Sequence, residues 1–421
     1  MAGITKLELR TALGPVYRDV LPNPPRDCTT DEIPIIDLAL MFSEKLSDRK
    51  SVADNIRLAA TNNGFFYIKN HGIPEEVIAQ CKKQVINFMR QPLEKKMLVD
   101  SRTHSKYYNG YLGNRKAQIS RTESVDVRES FSFRYSPELD PDHPVNVSEL
   151  PEEVRSWIRA EDFVWEGTEH LPNFKEDALA YWRSCLTLAR RLVRAFALSL
   201  DLKEDYWDDK VTHPGADGVF NYYPPRTVEE VENKRVGGLQ VLSREGQWLR
   251  APPIEGTLVV NIGDFMMRLC NDIYKSTVHR VTNESGGERV SLPFFFGLNF
   301  NCVEGVVPSC TSENNPAKYK PISCGDWCQM RFKIERDEFL KNQEAKKGSS
   351  SKCYRGSYVD EVFRFIVPDS IRDLLNEFKD VKEGFAFRFK RFETKSNEEI
   401  PILARVFPCD VTSDLNSIQL G

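Results

Sequence analysis

From Gly218 onward the chain is written in short apolar runs separated by Gly, Pro and Asn turns: VFNYY, GGLQVL, QWLRA, GTLVVNI, YKSTVHRV and RVSLPFFFGLNF. Each run is too short for a stable helix, and each is rich in the β-branched and aromatic residues that suit a pleated sheet. Repeated in this way, they predict an all-β barrel or sandwich. The upstream half reads differently. IPIIDL (33–38) and GFFYIKNHG (64–72) read as strands, with a helical stretch through 53–61 between them. Behind Pro74, which suits a first helical turn, Val77, Ile78, Cys81, Val85, Phe88 and Met89 recur at helical spacing. A long helix is predicted over 173–200, with an apolar stripe through Leu186, Leu188, Leu192, Val193, Phe196 and Leu200. The whole is an α+β chain.

The totals exclude several classes. At 421 residues the chain can bury one large core or two modest ones. A net charge of −4 gives no basic face for nucleic acid or an anionic membrane. No apolar run approaches the roughly 20 residues that span a bilayer. The N-terminus lacks the apolar core of a secretion signal, and ten cysteines without framework spacing suit reduced thiols in the cytoplasm. Cys324 and Cys328 are read as free thiols. Residues 136–172 look like a connecting segment, 331–347 a solvated charged helix, and 348–353 a linker. Beyond these lie one helix at 369–378 and an alternating FAFRFKRF, with no chemistry evident.

Chemistry concentrates in 274–299, YKSTVHRVTNESGGERVSLPFFFGLN. Strand side chains two apart share a face, so Arg289 and Ser291 point one way and Val290 and Leu292 the other. A barrel-lining guanidinium requires an anion, and a carboxylate accepts its fork in two parallel hydrogen bonds. His279, on a face with Thr277 and Lys275, is expected to lie alongside Arg289 in a hairpin closed by NESGG. A small dicarboxylate on Arg289 and Ser291 would then reach a metal on His279. Singly, a strand histidine is more often a packed group and an Arg-x-Ser more often a surface ion pair. Asn221 and Tyr223, in FNYYPP, would ordinarily be strand-end residues. Their joint order is the signal.

That order, with IPIIDL, GFFYIKNHGIPEEV, NYYPP, GGLQV, GQWLRAPPIEGTLVVNIGDFMMRL and VPSCTSENNPAKYKPISCGDW, resembles the isopenicillin-N-synthase-like branch of the 2-oxoglutarate and Fe(II)-dependent oxygenases, over roughly residues 30–340. The resemblance implies a double-stranded β-helix (jelly roll) core flanked by helices. Its domains would be an N-terminal cap at 1–150, a connecting segment and long helix at 151–217, the core at 218–345 and an extension at 346–421. It also implies oxidation of a small organic molecule by O₂, with 2-oxoglutarate converted to succinate and CO₂. Hydroxylation, desaturation and ring closure are all open, and a specialised biosynthetic pathway is the expected setting. Carried over residue by residue, a metal ligand falls on His279, the oxoglutarate clamp on Arg289 and Ser291, and supporting contacts on Asn221 and Tyr223. The aromatic loop at 105–113, with Tyr107, Tyr108 and Tyr111, falls where relatives contact substrate, though packing onto the core explains it equally well.

One part of the pattern is missing. Relatives carry a strand pair with a His-x-Asp between NYYPP and GGLQV, and here that interval holds only RTVEEVENKRV. None of His71, His104, His143, His170 or His213 stands in its place, and Glu229, Glu230 and Glu232 are poor substitutes. The expectations are therefore a core short of a strand pair, unpaired sheet edges, and impaired iron binding. Two explanations stay open: a truncated product of an active oxygenase, or a silent binding protein on the same fold.

Overall fold

In a computed structural model of the chain, the described residues are 3–11, 14–114, 128–225, 238–282 and 287–330, with two further strands at 384–390 and 403–409. The chain divides into two compact units, Met1–Glu344 and Ala345–Gly421. In the second, Gly384–Lys390 and Leu403–Cys409 pair antiparallel. The helices expected at 331–347 and 369–378, the linker at 348–353, and Glu229, Glu230 and Glu232 lie outside the described residues.

The first unit opens with a two-stranded ribbon, β1 (Thr5–Thr11) against β2 (Gly14–Val20). There follow β3 (Arg26–Asp27), β4 (Ile35–Asp37), β5 (Phe65–Lys69), β6 (Gly110–Leu112), β7 (Glu129–Phe133) and β8 (Pro214–Tyr223). The later strands are β9 (Leu239–Leu242), β10 (Trp248–Arg250), β11 (Thr257–Asn261), β12 (His279–Val281), β13 (Arg289–Ser291) and β14 (Phe294–Asn299). They assemble into three sheets, ordered β12-β9-β10-β3, β11-β5-β4 and β13-β8-β7-β6, with β14 also on β8.

Alternation along two strands shows how the layers stack. On β5, Phe66 and Ile68 join the main core, while Phe65 and Tyr67 form a second cluster with Ile33, Val241 and Ala251. The second cluster ties the β9–β10 sheet to the opposite face of β5. On β8, Phe220 packs edge-on against Phe133 and points toward the helices, leaving Val219, Asn221 and Tyr223 on the other face. The helices cover one side, and the β9–β10 sheet covers the β5 face.

The expected helices form at Leu46–Asn62, Glu75–Met89 and Phe174–Ser199. Asn173 adopts φ 62° just before the last of these, a left-handed conformation that asparagine tolerates, and so sharpens the helix start. All six predicted stripe residues are buried. Tyr181 and Trp182 fasten this helix to the sheet, donating to the carbonyls of Leu292 (2.8 Å) and Ala216 (3.2 Å).

Among the described residues, each of the three sheets ends in a strand with no further partner: β11 pairs only with β5, β12 only with β9, and β13 and β14 only with β8. These strands are apolar in sequence yet poorly covered: Val259 is 41% exposed, Val281 39% and Phe295 58%. Runs such as TLVVN and FFFGLN are the kind that ordinarily lie buried on both faces.

Candidate functional site

The site is built from two walls. One is the inner face of the β13–β8–β7 sheet, where Arg289 lies opposite Tyr223 and Ser291 opposite Asn221 in register. The Arg289 guanidinium sits 4.7 Å above the centre of the Tyr223 ring, and Asn221 and Tyr223 are both buried. Asn221 Oδ1 accepts a hydrogen bond from Arg128 (2.7 Å). The residue before Arg289 is pinned firmly. Glu288 takes both arms of Arg90 at 2.8 and 2.7 Å and the Tyr222 hydroxyl at 2.8 Å. Its hydrogen bonds from Arg90, against some burial and with help from Tyr222, hold the Glu288 carboxyl below the usual range.

Arg289 Nη1 is buried without a hydrogen-bond partner among the described residues. A desolvated guanidinium N–H left empty is costly, and a carboxylate is the group that matches its planar fork. Ser291, two residues on, supplies a hydroxyl on the same face. By the chemistry of its donors, this corner suits the far carboxylate of a dicarboxylic acid.

The second wall carries His279. It is exposed, lies on β12 opposite Val241, and meets the edge of Phe65 with ring centres 5.3 Å apart. Its Nδ1 lies 3.0 Å from the Thr277 carbonyl, which can only accept, so Nδ1 is the donor, and in the neutral ring Nε2 presents a lone pair. That tautomer is the one a metal-binding imidazole adopts. The approach depends on Gly64, whose φ of +72° is open to glycine. A Cβ there would come within 1.8 Å of the Lys275 carbonyl.

Two expectations need correction. His279 and Arg289 do not lie side by side in a hairpin: β12 pairs with β9 and β13 with β8, so they belong to different sheets. The chain crosses from sheet to sheet through a link of which 283–286 lie outside the described residues. The two walls meet at Gly238, where a Cβ would stand 2.5 Å from the Thr282 carbonyl and 3.3 Å from Arg289 Nε. Nor do Lys275 and Thr277 share a strand face with His279, because β12 begins at His279. The Lys275 N–H bonds the Ala60 carbonyl (3.0 Å) and the Thr277 hydroxyl the Asn63 carbonyl (2.5 Å), tying this stretch to a helix end instead.

The other histidines are dispersed. His71 Nδ1 accepts from the Ile73 N–H, His213 faces the Tyr135 hydroxyl, and His170 faces Gln91. Among the described residues no three His, Cys, Asp or Glu side chains converge as a metal site. Tyr111, one of the three loop tyrosines, is buried and donates to Glu129 (2.6 Å), while Tyr107 and Tyr108 are exposed. Sequence reasoning missed Arg128, Glu288 and Arg90. A residue that buttresses another has no motif of its own.

Residues 33–153 match the N-terminal family of the non-haem dioxygenase in morphine synthesis, and residues 219–298 match the 2OG-Fe(II) oxygenase superfamily. The 2-oxoglutarate-Fe(II) type oxidoreductase ppzC of Metarhizium rileyi is 42% identical over 353 residues, covering 78% of this chain and 94% of that protein. The chain belongs to the 2OG-Fe(II) oxygenase superfamily. A second relative of this oxygenase, the 2-oxoglutarate-Fe(II) type oxidoreductase hxnY of Emericella nidulans, is 30% identical over 77% of this chain and 97% of that one. A Neurospora crassa protein solved in complex with alpha-KG superposes with a TM-score of 0.58 at 25% identity, covering 74% and 99% of the two chains. The superfamily fold is the jelly roll, and its cofactors are Fe(II) and, as co-substrate, 2-oxoglutarate; it acts on small molecules with O₂. No helix among the described residues is long and apolar enough to cross a membrane.

The two cofactors fare differently here. The Arg289 nitrogen, buried and without a partner among the described residues, fits the dicarboxylate. Iron does not fit the described residues, which offer it one imidazole.

Proposed function

We propose that this oxygenase is built to oxidise a small organic molecule in specialised metabolism, by hydroxylation, desaturation or ring closure. Arg289 and Ser291 would clamp 2-oxoglutarate with Asn221 and Tyr223 in support, and His279 would bind the metal through Nε2. The observation that carries the reading is the buried Arg289 nitrogen without a partner among the described residues, stacked on Tyr223. Cap (1–150), connecting segment (151–217), core (218–345) and extension (346–421) are the corresponding domains, and the cytoplasm the corresponding location.

This form is impaired in the same reading. The alignment with the Metarhizium relative runs over 353 positions yet takes in 78% of 421 residues, about 328. Roughly two dozen positions of the relative therefore have no counterpart here, enough for a strand pair and its turn. The interval 226–236 is where the His-x-Asp motif fails, and sheet edges unpaired among the described residues are what such a loss would leave. A truncated product of an active enzyme accounts for these together. A short in-frame coding segment near Lys234–Val236 in the transcript, encoding His-x-Asp, would establish it.

The second reading, a silent protein that binds oxoglutarate or a small ligand, is favoured by the single metal ligand. One experiment separates the two. Succinate formed from 2-oxoglutarate with Fe(II) and O₂, and lost in His279→Ala, supports the oxygenase; oxoglutarate binding by calorimetry without turnover supports the binding protein.

A further inference from the structure

The inner face of β8 continues past the oxoglutarate corner. From Tyr223 back through Asn221 and Val219 it ends at Asp217, roughly 20 Å away at the usual rise per strand residue. There the chemistry changes. Asp217 is paired with Arg134 at 3.1 Å and lies opposite Phe295 of β14. Beside them is Arg159, from the segment before the long helix. Its guanidinium carbon lies 5.1 Å from the ring centre of Phe300, 5.3 Å from Trp157 and 5.8 Å from Tyr107. Arg134, Trp157, Arg159, His213, Asp217 and Phe300 are among the residues lining one small cleft of about 10 Å³, room for a carboxylate-sized group, while Tyr107 meets Arg159 outside that lining.

Arg159 makes no side-chain hydrogen bond or ion pair with a described residue. Ring faces stabilise a cation but accept none of its five N–H groups in a strong hydrogen bond. The nearby carboxylate is already engaged by Arg134, so two guanidinium groups share one anion and the cleft keeps a positive charge. Burial pushes the Arg159 pKa down, against the opposing effects of Cys328, Asp217 and Tyr107. The surroundings are also held in place. Glu161 accepts from the Lys106 N–H and Asn109 Nδ2, and Arg134 Nε donates to the Tyr107 carbonyl at 3.2 Å, which fixes the loop bearing Tyr107.

We propose that Arg159, backed by the Arg134–Asp217 pair, is the seat for a carboxylate on the organic substrate, with Trp157, Phe300 and Tyr107 against its apolar body. The inference rests on the reading of Arg289 as the oxoglutarate clamp at the opposite end of the same face. Substrate and co-substrate would then each be held by an arginine, one at either end of β8, with the reacting carbon between. The substrate class is a small organic acid carrying a ring or other flat apolar group.

Calorimetry on the full chain tests this with phenylacetate and 3-phenylpropionate as probes, each against its neutral amide. Carboxylates should bind at least tenfold more tightly than amides. Arg159→Met, which keeps the stem and removes the charge, should abolish that preference, and Arg159→Lys should restore part of it. Neither variant should alter oxoglutarate binding, whereas Arg289→Met should weaken oxoglutarate binding roughly 10- to 100-fold and leave phenylacetate binding intact. Loss of oxoglutarate binding alone would therefore follow the clamp, not this seat. Equal binding of acid and amide, unchanged phenylacetate binding in Arg159→Met, or no binding of either acid would overturn the proposal.

Discussion

His279 and Arg289, ten residues apart in the chain, stand on opposing sheets that touch at Gly238. The spacing between imidazole and guanidinium is therefore set by how two sheets pack, and not by a hairpin turn. Two consequences follow for experiment. Changes that move one sheet against the other should disturb the site without touching either residue, and changes to either residue should leave the fold intact.

Replacing Arg289 with Met removes the fork while keeping most of the stem packed on Tyr223. Charge-assisted hydrogen bonds of this kind are worth about 1.5–3 kcal/mol, so oxoglutarate affinity should fall roughly 10- to 100-fold. Calorimetry would show it, and an unchanged affinity would remove Arg289 from the site. Gly238→Ala should weaken the same binding without altering any donor, by forcing Thr282 and Arg289 apart.

Gly64→Ala should destabilise the fold by about 1–3 kcal/mol, since the new Cβ meets the Lys275 carbonyl at a residue with positive φ. Denaturant midpoints would report this. A neutral effect would mean that the β5 entrance is more yielding than its geometry implies.

With His279 the one imidazole that the described residues bring to the site, Fe(II) should bind weakly, and anaerobic titration with Mn(II) as a stand-in should show little saturation at micromolar metal. Inserting the relative's unmatched segment between Pro225 and Gly238 should yield tight metal binding and succinate formation. If the unaltered chain binds metal tightly, the impairment reading fails.

Sheet edges unpaired among the described residues make self-association the main hazard of this form. Val259→Lys and Phe295→Lys place charge on exposed apolar positions of β11 and β14. Both should reduce aggregation in light scattering, with stability changes within about 0.5 kcal/mol as expected for surface substitutions. Unchanged aggregation would point to another surface.

Stability should also fall as the solution is acidified below the ordinary histidine pKa of 6.5. Burial depresses the pKa of both His71 and His213, against the opposing charges of Glu75 and Asp140 respectively. The folded state thus favours their neutral forms. Their contribution is complete above 6.5 and is lost as pH falls through the depressed folded values. Melting temperatures measured from pH 8 to pH 5 should decline, and His71→Asn should flatten the slope. A slope that survives both His71→Asn and His213→Asn would assign the effect to carboxylates instead.

Much of this was legible in the linear chain, for reasons that particular residues make plain. The helix at Phe174–Ser199 announced itself because six apolar residues recur at a helical period, and burying them needs no knowledge of the partner surface. Arg289 and Ser291 were legible because a two-residue spacing places both on one face of any strand. The partner of His279 was not legible. Its sequence neighbour across NESGG is β13, but its hydrogen-bonded neighbour is β9, nearly forty residues back. Pairing is chosen among all strands at once, whereas a turn motif reports only on its own ends. Arg159 was equally hidden: nothing marks an arginine in a charged loop until Trp157, Phe300 and Tyr107 have gathered around it.

The sequence by itself determined the elements, the family and the residues of the proposed oxoglutarate clamp, because periodicity and short spacings are local properties of a chain. Tertiary structure alone decided which sheet each of those residues stands on and, among the described residues, which donor and which edges lack a partner. Those are matters of long-range packing, where residues far apart in the chain compete for the same neighbours.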